Sequence, residues 1–194
     1  MKEMLRYGMI LGLICLVSTG LLAAVNNLTK TRIENQARAE IETGLKEVLA
    51  QAASFEPVGS EEKIVYYKGF DQAGQLVGCA FIASQKGYSS VIETMVGMTI
   101  DGTITAIKVI SQNETPGLGC RVNEAEDDTT LLDFLRGKKA PENKTSRFCA
   151  QFSGKKIAEI DGVNAITGAT ISSRAVIDSV RTKAEEIYKL LRHE

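Results

Sequence analysis

Residues 7–25 read YGMILGLICLVSTGLLAAV, an apolar run without a charged side chain. At a helical rise of about 1.5 Å per residue the run is roughly 28 Å long, enough to cross a hydrocarbon core of about 30 Å. Residues 26–53 are then rich in Glu, Lys, Arg, Ala and Leu, with Ile33, Ala37, Ile41, Leu45, Val48 and Leu49 at helical spacing. This predicts a helical stalk that continues the apolar run or follows it closely. Phe55-Glu56-Pro57-Val58-Gly59 is expected to end it.

The pattern next shifts to strands. Lys63–Phe70 and residues 75–83 are strand-like and joined by Asp71-Gln72-Ala73-Gly74. Residues 91–100 and 103–111 form a second pair, closed by the two-residue turn signal Asp101-Gly102. Residues 129–136 predict a short helix ending at Gly137, and residues 138–147 a polar loop containing Pro141. Residues 148–152 and 157–160 read as short strands. Residues 171–191 are the final helix, with Val176, Val180, Ala184, Ile187 and Leu191 on one apolar stripe. Lys183, Glu185, Glu186 and Lys189 fall mainly outside that stripe. Antiparallel hairpins with helices at the ends indicate an α+β domain rather than alternating βαβ units. The expected organisation is a head and transmembrane helix at 1–25, a helical stalk at 26–57 and an antiparallel-sheet domain with a C-terminal helix at 58–194.

Two readings compete for the apolar run, a cleaved signal peptide and a retained span. Its length exceeds a signal h-region of roughly 7–15 residues, which favours retention, although Ala23-Ala24 offers a small-residue cleavage site. Lys2 and Arg6 precede the span and Lys30, Arg32 and Arg38 follow it, so local charge does not choose an orientation. The very short basic head points to the cytoplasm, placing the C-terminal domain on the extracytoplasmic side.

Charge narrows the function. Lys+Arg 23 against Asp+Glu 24 gives a net charge of -1, and no basic stripe interleaves with aromatics, so no nucleic-acid partner is expected. Cys15 lies in the apolar run, while Cys79, Cys120 and Cys149 are scattered without zinc or iron–sulfur spacing. The one histidine, His193, is penultimate. Neither histidine catalysis nor a metal site is expected.

Three loops could carry chemistry. Ile166-Thr167-Gly168-Ala169-Thr170-Ile171-Ser172-Ser173 runs into the last helix. Helix-start amides lack partners within the helix, and the macrodipole puts partial positive charge there, so such an end attracts phosphate. A threonine or serine at this point can equally be a plain helix cap, since both readings share one geometry. Glu114-Thr115-Pro116-Gly117-Leu118-Gly119 follows a strand, and its glycines let backbone approach a flat ring or a phosphate. It would also make an ordinary tight turn. Lys86-Gly87-Tyr88-Ser89-Ser90 sets an aromatic beside a glycine before a strand, as a ring contact or as a simple strand entry.

The order of these loops behind an N-terminal span resembles the G subunit of the Rnf electron-transport complex and its relative, the C subunit of the sodium-pumping NADH:quinone reductase. The matching features are G-Y-S-S ahead of a hairpin, E-T-P-G-L-G after it, and T-G-A-T before the last helix. The absence of a long insertion after E-T-P-G-L-G favours the Rnf branch. The resemblance implies a domain holding FMN as a phosphoester on Thr170, attached by a separate flavin transferase from FAD with a divalent metal. It further implies cofactor contacts from Thr167, Gly168, Ala169, Ser172, Glu114, Thr115, Pro116, Gly117, Leu118, Gly119, Tyr88 and Ser89. No catalytic acid, base or metal ligand is then required, because the flavin carries the chemistry. The expectation is an electron-relaying subunit of an ion-translocating ferredoxin:NAD oxidoreductase, working with other subunits in a prokaryotic plasma membrane. The alternatives are an anchored sensory or binding module without redox role, and a stand-alone extracellular flavin reductase module.

Overall fold

The computed structural model describes residues 2–60, 63–115 and 146–193. The chain divides into two compact units, Met1–Glu42 and Thr43–Glu194. From Lys2 onward the first lies within α1, Lys2–Val48, one uninterrupted helix. Its apolar side chains are open to the surroundings, with Leu16 at 71% and Leu22 at 73% exposure, and the helix is long and apolar enough to cross a membrane. In water that surface would be unstable; in hydrocarbon it is matched.

The second unit is built on a five-stranded antiparallel sheet whose spatial order is its chain order. The strands are β1 (Ser54–Ser60), β2 (Lys63–Phe70), β3 (Leu76–Lys86), β4 (Val91–Thr99) and β5 (Ile104–Ser111). The expected terminator at residues 55–59 is therefore strand rather than loop, and the 57/58 boundary read from sequence falls inside β1. Pro57 is tolerated because β1 is an edge strand, where a missing N–H removes no obligatory ladder bond. The β4–β5 connection is also one residue longer than the two-residue turn expected. The Thr99 amide donates to the Thr103 carbonyl at 2.9 Å, enclosing residues 100–102. Gly102 at φ 80° supplies the left-handed residue that ends such a three-residue loop.

Two short elements differ in kind from the sequence reading. Residues 148–152 are not a strand: α2 (Arg147–Ala150) is a single helical turn, capped by Ser146 Oγ accepting the Phe148 amide at 3.3 Å. Phe148 and Phe152, four residues apart, meet edge to face at 5.5 Å between centroids. Residues 157–160 lie in a 3₁₀ turn, Ile157–Gly162, burying Ile160, with Glu159 Oε2 accepting the Lys156 amide at 3.1 Å. Short apolar runs cannot separate strand from helix by periodicity, and local caps decided both cases. The helix expected at 129–136 and most of the loop at 138–147 lie outside the described residues.

The final helix, α3 (Thr170–His193), crosses β3 and β4. Val176, Val180, Ala184 and Ile187 on its stripe are fully buried against Phe81, Ile92, Val96, Met98 and Ile104, and Leu191 packs at the edge of the cluster. The end of α1 completes the core with buried Leu45 and Val48, followed by Leu49 in the succeeding turn. Its approach to the sheet is close. A Cβ added to Gly97 would collide with the Val48 carbonyl and the Thr105 hydroxyl, and Thr105 Oγ1 donates to that same carbonyl. Lys108 Nζ adds a 2.7 Å pair with Glu47. Burial pushes the thiols of Cys79 and Cys149 up to about 12 and about 11, so both are unreactive at neutral pH.

Candidate functional site

Three chain segments converge at the start of α3. The first is the turn that leads into the helix. The Ala169 amide donates to the Ile166 carbonyl at 3.0 Å, closing a turn whose third position is Gly168 at φ 84°. A Cβ is disfavoured at that angle, which accounts for glycine there. Ser173 pins the turn twice: its amide donates to the Ala169 carbonyl at 2.9 Å, and its Oγ accepts the Ile166 amide at 3.1 Å. Ala169 therefore stands at the capping position, and a methyl group cannot accept an N–H. Thr170 is the first helical residue, with an exposed side chain. Helix capping by Thr167 or Thr170 is thus not what the turn provides.

The second and third segments are the β3–β4 loop and the chain just past β5, joined through Glu114. This carboxylate is only 6% exposed. Oε1 accepts the amides of Ser89 at 3.0 Å and Ser90 at 2.9 Å, with the Ser90 hydroxyl at 3.3 Å. Oε2 accepts the Tyr88 amide at 3.2 Å and the Ser172 hydroxyl at 2.7 Å. Burial would raise the carboxyl pKa, but the bonds from Ser172, Ser90, Ser89 and Tyr88 outweigh it and hold the group below its ordinary value. Glu114 is therefore ionised at neutral pH. The loop around it is tight: a Cβ at Gly87 would stand 2.8 Å from Glu114 Oε1. The Asn113 backbone amide donates a hydrogen bond to Ser90 Oγ at 2.8 Å.

Between these segments lies a cleft of about 300 Å³ lined by Tyr88, Glu114, Thr115, Gly168, Ala169, Thr170, Ile171 and Ser172. The structure thus brings together seven residues singled out from the sequence. Ser89 adjoins them, its Oγ 3.5 Å from Thr115 Oγ1. Thr167 is exposed on the preceding turn and is not part of the lining. Pro116, Gly117, Leu118 and Gly119 lie outside the described residues. Sequence reasoning missed two participants. Ile171 is 57% exposed on the cleft wall, and its signal was an apolar side chain lying off the buried stripe of α3. Ser90 lay within the G-Y-S-S stretch, but its role could not be read there, since it depends on a carboxylate 24 residues away. Among the described residues, no cluster of His, Cys, Asp or Glu could hold a metal ion.

The cleft suits an anionic, aromatic cofactor. Tyr88 and Ile171 offer apolar surface, Ser89 and Thr115 offer hydroxyls, and the uncapped first turn of α3 offers amides to a phosphate. Comparison with known proteins agrees. The profile of the FMN-binding domain matches residues 87–185, which defines this half of the chain as a flavin-binding domain. A second profile, the RnfG N-terminal region, matches residues 1–48. The G subunit of the ion-translocating oxidoreductase complex of Methanosarcina acetivorans is 32% identical, over 96% of this chain and 95% of that protein. The G subunit of the Na⁺-translocating ferredoxin:NAD⁺ oxidoreductase complex of Acetobacterium woodii is 30% identical, over 92% of this chain and 89% of that protein. A crystal structure of Shewanella oneidensis NqrC aligns with a TM-score of 0.48 at 19% identity, over 75% of this chain and 73% of that one. The chain belongs to the RnfG family, the G subunits of the Rnf ion-translocating oxidoreductase complexes.

Proposed function

We propose that this chain is a membrane-anchored flavoprotein subunit that relays electrons through covalently attached FMN within a ferredoxin:NAD oxidoreductase of the Rnf type. The observation that carries the reading is Thr170 itself: an exposed hydroxyl on the first residue of a helix whose capping position is an alanine. Such an end satisfies its amides with an incoming anion, and the hydroxyl stands where that anion would sit. Attachment joins Thr170 Oγ1 to the flavin-side phosphorus of FAD. The P–O bond to the adenylate half breaks, AMP leaves with the electron pair, and the threonine proton is released. A separate flavin transferase with a divalent metal performs this step.

The flavin, once bound, supplies reversible electron transfer at its ring. The chain's own residues hold and orient it. Thr170 and the amides beside it retain the phosphate. Tyr88 and Ile171 flank apolar surface, and Ser89 and Thr115 present hydroxyls. Gly168 and Ala169 keep the turn narrow, and Thr167 is its second residue, the first of the T-G-A-T motif. By resemblance, Pro116, Gly117, Leu118 and Gly119 complete the ring contacts. The sheet domain stands on the extracytoplasmic side, where a covalent tether prevents loss of the cofactor by dilution, and the other subunits exchange electrons with it.

Intact-mass measurement of the full chain co-expressed with a flavin transferase tests this reading. One added FMN, less water, is expected on the wild type and none on Thr170→Ala. A flavin adduct that survives Thr170→Ala would sink the assignment.

A further inference from the structure

Glu114 lies in the cleft wall, yet it has no capacity left for a ligand. A carboxylate offers roughly four lone-pair sites. Five donors already occupy them: the amides of Tyr88, Ser89 and Ser90 and the hydroxyls of Ser90 and Ser172. Four of the five come from the β3–β4 loop, and the fifth comes from the first turn of α3. No first-turn amide of α3 is among them, so the charge of Glu114 leaves those amides open to an anion. The Ser172 bond is the shortest of the set at 2.7 Å and spans 58 residues of sequence. Ser172 is itself buried at 2% exposure and stands two residues after Thr170. Its neighbour Ser173 holds the turn on the other side through Ile166.

We infer that Glu114 is a positioning residue. Through Ser172 it locks the first turn of α3 to the 88–90 loop, and so fixes where the Thr170 hydroxyl stands relative to the Tyr88 wall of the cleft. Ser172 and Glu114 thereby act on flavin attachment by positioning Thr170. The inference rests on the reading of Thr170 as the attachment point.

In Glu114→Gln one oxygen becomes an NH₂ group that faces either the Tyr88 amide or the Ser89 and Ser90 amides, donor against donor. Ser172→Ala removes only the tie to α3 and leaves the four loop bonds in place. The test uses the full chain in detergent with flavin transferase, FAD and Mg²⁺, following covalent FMN by intact mass over time and the thermal midpoint in parallel. Misplacing a reacting group by about 1 Å costs up to roughly a hundredfold in rate. Attachment is therefore expected to slow by about tenfold to a hundredfold in both variants. The double variant should be no slower than Glu114→Gln alone, because the two residues act as one unit. Ile187→Val, at the far end of α3, is the control. It should lower the thermal midpoint while attachment proceeds at the wild-type rate.

Wild-type attachment rates in folded Ser172→Ala would overturn the inference. So would an Ile187→Val chain that slows in step with its stability loss, since the effect would then be general. If Glu114→Gln does not fold, Ser172→Ala decides alone. A wild type that takes no FMN at Thr170 defeats the attachment reading first, and the positioning role falls with it.

Discussion

At the scale of single residues, burial and hydrogen bonding pull the pKa of Glu114 in opposite directions, and hydrogen bonding prevails. A carboxyl whose folded pKa lies below its ordinary value of 4.5 stabilises the fold above that value. The contribution disappears as pH falls through the depressed folded value, because the unfolded chain takes up its proton first. Thermal midpoints of wild type and Glu114→Gln should therefore be furthest apart near neutral pH and draw together below about pH 4, near the ordinary glutamate pKa. A gap that stays constant down to about pH 3 would show that the carboxylate charge contributes nothing. Thr170 illustrates what a sequence can say at this scale. Its phosphate-binding and capping readings shared one geometry until the turn placed Ala169 at the cap and left Thr170 exposed.

Among the elements, the sheet was legible where side chains alternate and turn residues mark the ends: β2 matches its expected bounds, and β3, β4 and β5 differ from theirs by a few residues at most. The short elements were not. Phe148 and Phe152 satisfy helical and strand spacing alike, and the Ser146 cap decided between them. β1 was hidden because Pro57 and Gly59 read as breakers, and only pairing with β2 makes them an edge strand. The crossing of α1 over β4 makes a sharp prediction. Gly97→Ala places a methyl against the Val48 carbonyl, where backbone must move, and should destabilise by about 1–3 kcal/mol in denaturant unfolding. An unchanged midpoint would mean that α1 does not seat on the sheet in this way.

For the molecule as a whole, the compact unit begins at Thr43, inside α1, whereas the sequence placed its boundaries at 25/26, within that helix, and at 57/58, within β1. A chain starting at residue 43 keeps Leu45, Val48, Leu49 and the Glu47–Lys108 pair, and should unfold cooperatively in water. A chain starting at residue 50 loses all of these. Removing three large buried side chains costs several kcal/mol, since each large-to-small core change is worth about 2–5 kcal/mol. Circular dichroism melts of the two truncated chains check this, and equal midpoints would assign α1 entirely to the stalk. By itself, the sequence determined the membrane-crossing length, the antiparallel hairpins, the apolar stripe of α3 and the motifs that mark the family. Each of these is a local pattern, readable from spacing within a few turns of chain. Tertiary structure alone decided that Glu114 meets Ser172 across 58 residues, that Ile171 and Tyr88 line one cleft, and that the end of α1 belongs to the core. Those contacts join segments far apart in the chain, and no periodicity records which distant partner will satisfy a buried charge or cover an open sheet face.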